Sequence, residues 1–281
     1  MLPSDQSEVQ KIVKKSGSSF YWGMRILPSN QMRAMFAIYA YCRTVDDIAD
    51  DIKDKKIRQK LLVGWENRID KIFKKKEFDS ALERELKISI QKFNLKKNDF
   101  LSIIKGMKMD SSNTIVFPSK RKLNLYCDRV AVAVGYLSIR IFGLTDSAKK
   151  YALYLGRAFQ LTNIVRDFRE DLDRGRCYIS EDYLEKYSIR KDIKILVKSP
   201  FLQKLLQDIL KDAEIYFNKA KKETLKLDKN KILASELMKL FYFKIFKKMY
   251  EKKIYIQDKV RLSVWDKLTI LFIFFIRKIG Y

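Results

Sequence analysis

An all-α fold is what this sequence predicts, and three observations carry the prediction. Only nine glycines and four prolines punctuate 281 residues. Alternating β-branched runs are scarce, and apolar side chains return at steps of three and four over most of the chain. No repeat, linker or low-complexity block divides it, so a single domain spanning residues 1–281 is expected. With 47% hydrophobic residues, a chain of this length can bury a core and still enclose a deep pocket.

The elements follow in order. After Ser16-Gly17-Ser18-Ser19, Pro28 and Ser29 announce a helix running to about Asp50. Met32, Met35, Phe36, Tyr39, Arg43, Asp46 and Asp50 share one stripe of it, apolar at the start and charged at the end. Such a stripe describes either a pocket wall or a helix end emerging into solvent. Residues 54–107 read as three scaffold helices, with Leu61, Leu62, Trp65, Ile69 and Phe73 at helical spacing. Past a loop near Pro118, a helix is expected over about Arg121–Phe142. Its small residues Ala131, Gly135 and Ser138 suit close helix packing or a long apolar ligand. The longest pattern spans about Thr145–Asp173, placing Gly156, Gln160, Asn163, Asp167 and Asp171 on one face, and Arg174-Gly175-Arg176 ends it. Two amphipathic helices follow, over about 200–226 and 230–256, the second containing Tyr242, Tyr250 and Tyr255.

Residues four apart on a helix lie about 40° apart around the axis, so Asp46 shares a face with Asp50, and Asp167 with Asp171. Like-charged pairs on one face cost a few tenths of a kcal/mol each when solvated, and far more when buried. Two explanations stand: ordinary solvated acidic faces, or carboxylates holding Mg²⁺ or Mn²⁺ that bridge to a phosphorylated substrate. Gln160 and Asn163 on the face that carries the second cluster favour the second. Arg43, Arg174 and Arg176 add oxyanion donors beside both clusters.

Composition excludes much else. Histidine is absent, which removes Ser-His-Asp and Cys-His catalysis, His-ligated zinc and imidazole acid–base chemistry. Three cysteines without CxxC spacing imply free thiols in a reducing compartment. The N-terminal MLPSDQSEVQKIVKKSG lacks an apolar signal core, so a cytoplasmic protein is expected. A net charge of +25 favours anionic partners. The lysines are scattered (Lys71, Lys74, Lys75, Lys76; Lys219, Lys221, Lys222) without a zinc-finger or RNP signature, so nucleic acid is not expected and a solvated Lys-rich surface accounts for much of the charge. No Gly-rich βαβ site indicates NADPH. The tail, residues 268–281, contains the run Leu268–Ile276 flanked by Lys267, Arg277 and Lys278. It is shorter than the roughly 20 residues that cross a bilayer, leaving a closing core helix or a peripheral membrane contact on the inner face.

The segments Tyr41-Cys42-Arg43-Thr44-Val45-Asp46-Asp47-Ile48-Ala49-Asp50-Asp51 and Gln160-Leu161-Thr162-Asn163-Ile164-Val165-Arg166-Asp167-Phe168-Arg169-Glu170-Asp171 resemble the two signatures of the squalene/phytoene synthases, the head-to-head prenyltransferases. The resemblance runs from Ser18-Ser19-Phe20 to the C-terminal helices. Gly17–Gly23, Tyr126–Ala131 and Val260–Ser263 are most similar to the branch that makes presqualene diphosphate for hopanoids.

The resemblance implies a single-domain isoprenoid synthase fold, a helical bundle around a central cavity with the two motifs on facing walls. It implies Mg²⁺ at Asp46, Asp50, Asn163, Asp167 and Asp171, and diphosphate contacts from Ser18, Ser19, Arg43, Gln160, Asn163, Arg166 and Tyr242. Tyr126 and Tyr39 are implied beside the reacting carbons, and farnesyl diphosphate as substrate. Val132 stands where the family has a small residue, which implies a narrowed prenyl channel. Phytoene, dehydrosqualene or squalene synthesis shares these motifs. A terpene cyclase shares the aspartate logic, and a basic helical membrane- or nucleic-acid-binding module is the non-enzymatic alternative.

Overall fold

The computed structural model describes residues 3–18, 20–74, 78–112, 115–252 and 259–279. Its α-helices in chain order are α1 (Pro3–Lys15), α2 (Phe20–Arg25), α3 (Ser29–Asp51), α4 (Lys55–Lys74), α5 (Ala81–Phe93), α6 (Lys97–Ser112), α7 (Lys120–Cys127), α8 (Ala133–Ile141), α9 (Lys149–Arg166), α10 (Phe168–Asp173), α11 (Glu181–Lys186), α12 (Ile193–Lys198), α13 (Leu202–Thr224), α14 (Leu233–Lys252) and α15 (Val264–Ile279). Among the described residues there is no strand beyond one isolated bridge, Val116 to Cys177. The all-α expectation therefore holds, and α3 ends one residue past the expected boundary.

Two apolar cores flank a central space. One gathers α3, α4, α5 and α6 around Tyr41, Phe100 and Leu86; the other gathers α9, α13 and α14 around Tyr151, Leu206 and Phe246. Phe20, Val130 and Phe159 pack against both, so the cores meet at the cavity wall. Tyr41 is fully buried, with its hydroxyl donating to the Phe100 carbonyl at 2.9 Å, which satisfies that polar atom within the core.

The expected helix over 121–142 contains a π-turn, Asp128–Val132, between α7 and α8. Two glycines make room for it. A Cβ on Gly106 would lie 2.5 Å from Val130, and one on Gly156 would lie 3.0 Å from the Val132 Cα. Arg157 clamps the turn through two 2.8 Å bonds to Asp128. Val130 lines the cavity, whereas Val132 is buried in helix packing outside the lining, so the expected narrowing at Val132 is not what the structure shows.

The expected helix over 145–173 breaks at Asp167, where φ is −99° and ψ 9°. The hydrogen-bond ladder still crosses the break, from Asp167 N to Asn163 O at 2.8 Å and from Asp171 N to Asp167 O at 2.9 Å. Asp167 and Asp171 thus keep a common face. Gly175 ends α10 with φ at +75°, as a left-handed turn requires.

Helix α1 was not foreseen. It docks through Val9 and Val13, and its Asp5 takes both arms of Arg84 at 2.8 and 2.9 Å.

Candidate active site

A cavity of about 740 Å³ opens between the two cores. Asp46, Asp50, Asp167 and Asp171 all line it, as do Ser18, Tyr39, Arg43, Tyr126, Gln160, Asn163, Arg166 and Tyr242. Sequence-remote segments therefore converge as the motifs suggested. Ser19 lies outside the described residues, as do Lys75, Lys76 and Tyr255. Ser18 has a local task as well, its Oγ accepting from the Phe20 amide at 3.2 Å at the start of α2.

The acidic groups are unequal. Asp50 is clamped by Arg176 at 2.6 Å and Arg174 at 2.8 Å, two arginines that follow the second motif. Arg176 is buried and also donates to the Ala49 carbonyl at 3.0 Å, so it ties the end of α3 to the far wall. Asp46 has, among the described residues, only Arg43, at 3.1 Å, which reaches Asp47 at 2.6 Å too. Enclosure by the protein, and then the Asp50 charge, push the Asp46 carboxyl up to about 7, although 41% of its side chain is open to the cavity.

On the opposite wall, burial works to raise the Asp167 carboxyl, but Arg166 at 2.6 Å and Lys259 at 3.0 Å hold it below its ordinary value. Asp171 has no such partner among the described residues; burial and then the Asp167 charge push it up to about 8. Lys259 also reaches Glu170 at 2.7 Å.

Tyr242 stacks on Phe159 at 4.2 Å; burial raises its hydroxyl, while Arg166 and Asn163 pull it down. Tyr39 donates to Ser16 Oγ at 3.0 Å. Among the described residues, no three His, Cys, Asp or Glu side chains converge tightly enough to enclose an ion by themselves. The donor set nonetheless fits a divalent cation completed by substrate oxygens. Asn163 Oδ1 is buried with no hydrogen-bond partner, and it lines the cavity with Asp167 and Asp171.

Sequence reasoning missed Asp110, Tyr178, Lys259 and Arg261, all of which line the cavity. None belongs to the two acidic motifs. Only Arg261, within the quoted stretch Val260–Ser263, and Lys259, which adjoins it, carried a signal that could have found them.

The family profile described as squalene/phytoene synthase matches residues 13–266. The chain belongs to the squalene/phytoene synthase family. It is 41% identical over 234 residues to the presqualene diphosphate synthase of Zymomonas mobilis, covering 83% of this chain and 80% of that protein. To the presqualene diphosphate synthase of Rhodopseudomonas palustris it is 38% identical, covering 82% of each. The crystal structure of a dehydrosqualene synthase superposes with a TM-score of 0.86 at 24% identity, over 99% of this chain and 98% of the other, a likeness of fold. This squalene/phytoene synthase is thus an enzyme of the prenyltransferase class.

Proposed function

We propose that the chain joins two farnesyl diphosphates head to head, releasing pyrophosphate and forming presqualene diphosphate. The observation that carries this reading is the convergence of both acidic motifs, with Arg43, Arg166, Arg174, Arg176 and Lys259, on one cavity. Asp46, Asp50, Asn163, Asp167 and Asp171 would hold Mg²⁺, which when bound supplies Lewis-acid neutralisation of a departing diphosphate.

The chain's own residues do the rest. Arg43, Arg166, Gln160 and Lys259 bind diphosphate oxygens, with Ser18 and Tyr242 beside them. The apolar wall of Phe20, Ile103, Met107, Val130, Ile164 and Ile245 keeps water from the allylic cation. The C2–C3 double bond of the second farnesyl chain attacks C1 of the first. Loss of a proton from that C1 then closes the cyclopropane. Tyr126 and Tyr39 sit beside these carbons, and released pyrophosphate takes the proton. No reductant enters these steps.

Product analysis by mass spectrometry tests the reading, with farnesyl and geranylgeranyl diphosphate supplied separately, with and without NADPH. Presqualene diphosphate from farnesyl diphosphate, unchanged by NADPH, is expected. A C40 product from geranylgeranyl diphosphate alone would reassign the enzyme to phytoene synthesis, and conversion to squalene on adding NADPH to squalene synthesis.

The tail supports a second element of the proposal, peripheral attachment to an anionic membrane. No helix among the described residues is long and apolar enough to cross one. Ile270 and Phe274 of α15 are buried against Leu237 and Phe241, so the core-helix alternative accounts for one stripe. The other stripe exposes Trp265 (78%) and Phe272 (67%), together with Leu268 and Phe275. Lys267 and Arg261 lie next to it on the cavity rim, supplying the positive charge that anionic headgroups meet. The side chains of Arg277 and Lys278 lie outside the described residues. Trp265→Ser with Phe272→Ser should reduce binding to phosphatidylglycerol vesicles at least about tenfold without lowering the melting temperature; unchanged binding contradicts attachment through this face.

A further inference from the structure

Asp110 has no part in the chemistry described above, yet it stands in the cavity wall. It lies in the last turns of α6, only 4% exposed. Both carboxylate oxygens are occupied: Tyr178 donates to Oδ1 at 2.7 Å and Tyr126 to Oδ2 at 3.0 Å. The two rings stack at 4.8 Å with planes 17° apart. Their hydroxyl oxygens are 3.2 Å from each other, a longer and uncharged alternative to the carboxylate for the Tyr126 proton. Tyr178 is fixed in turn by a main-chain pairing, Cys177 N to Ile115 O at 2.7 Å and Phe117 N to Cys177 O at 3.0 Å.

A buried carboxylate is an expensive way to hold two rings together, since apolar residues of similar volume avoid the desolvation cost. Burial pushes this one up to about 6, with Arg176 and the two phenols pulling it down. Its distinctive contribution is directional. A phenol has one proton and two lone pairs. With the Tyr126 proton committed to Asp110, the oxygen offers lone pairs to the cavity. Lone pairs stabilise a carbocation and a carbon losing a proton, whereas an O–H dipole aimed there opposes both.

We propose that Asp110 is the positioning residue for Tyr126, holding its phenol as an acceptor toward the reacting carbons. This rests on the proposed placement of Tyr126 beside those carbons. Tyr178 completes the shell of the carboxylate and leaves Oδ2 to Tyr126.

Asp110→Asn tests it, because the amide keeps the shape but can present N–H to Tyr126 and turn its proton into the cavity. The expected result is a kcat about 10–100-fold lower with KM for farnesyl diphosphate within about twofold. More of the released pyrophosphate should be accompanied by water-quenched C15 alcohol. Asp110→Asn with Tyr126→Phe should be no slower than Tyr126→Phe alone, since both remove the same oriented lone pair. If Asp110→Asn does not fold, Asp110→Ser, which admits water between the phenols, carries the same comparison. Full kcat in a folded Asp110 variant while Tyr126→Phe is impaired overturns the positioning role. So does additivity of the two substitutions. Full kcat in Tyr126→Phe contradicts instead the reading of Tyr126 on which the inference rests.

Discussion

The two acidic motifs share a pattern but are anchored differently. Each has one clamped carboxylate and one left free to charge only at a cost: Asp50 and Asp46 on α3, Asp167 and Asp171 at the α9–α10 junction. The clamp on Asp167 is largely local, from the adjacent Arg166. The clamp on Asp50 comes from Arg174 and Arg176, more than 120 residues away in sequence. The first motif is therefore tied to the segment that follows the second. What the difference teaches is that the acidic site is one object: Asp50 and Asp167 are held by arginine and lysine, while Asp46, paired with Arg43, and Asp171 carry raised carboxyls whose charge a bound cation would offset.

The largest expected effect breaks the unclamped pair. Asp46→Asn or Asp171→Asn should lower kcat by about 10³-fold or more while circular dichroism stays unchanged. Loss of less than tenfold would mean that the free carboxylates are bystanders. Next comes the long-range clamp. Arg176→Ala removes a buried cation from Asp50 and the Ala49 carbonyl, and should cost several °C of melting temperature together with most of the activity. Arg166→Ala, acting on a local clamp, should cost activity with a smaller change in melting temperature.

A pH series sharpens the same comparison. A carboxyl whose folded value is raised binds its proton more tightly when folded, so its contribution to stability is greatest below the unfolded value near 4. That contribution declines as pH rises through the folded values of about 7 for Asp46 and about 8 for Asp171. The cation-free protein should melt lower at pH 8.5 than at pH 6, and Asp171→Asn should flatten that decline by about 2–4 °C. A flat wild-type profile would contradict the unclamped state of these groups. The smallest effect is expected at Lys259→Ala, a weaker hold on diphosphate seen as a few-fold rise in KM.

Much of this was legible in the sequence because helical periodicity is a local property. The stripe from Met32 to Asp50, the polar face from Gln160 to Asp171 and the presence of α13 and α14 all follow from spacing; α13 and α14 begin two and three residues later than expected, and the expected end at 256 lies outside the described residues. The π-turn at 128–132 was not legible, because its cause is tertiary: Gly106 and Gly156 on other helices make room for it. The same holds for the pairing of Asp50 with Arg176 and for Asp110 between two tyrosines, contacts that no periodic pattern encodes. Arg174 and Arg176, expected as oxyanion donors, line the cavity and also hold Asp50 of the first motif, a pairing that spacing does not encode. The tail's apolar run left a closing core helix and a membrane contact both open, and α15 divides into a stripe buried against α14 and an exposed one.

The most direct test of one joint site is stoichiometry. Purified protein given farnesyl diphosphate alone should release one pyrophosphate for each presqualene diphosphate formed and two farnesyl diphosphates consumed. The reaction should depend on Mg²⁺ and be nearly abolished by Asp46→Asn on one wall or Asp167→Asn on the other. Pyrophosphate release with only C15 products, or full turnover in either variant, would contradict the account.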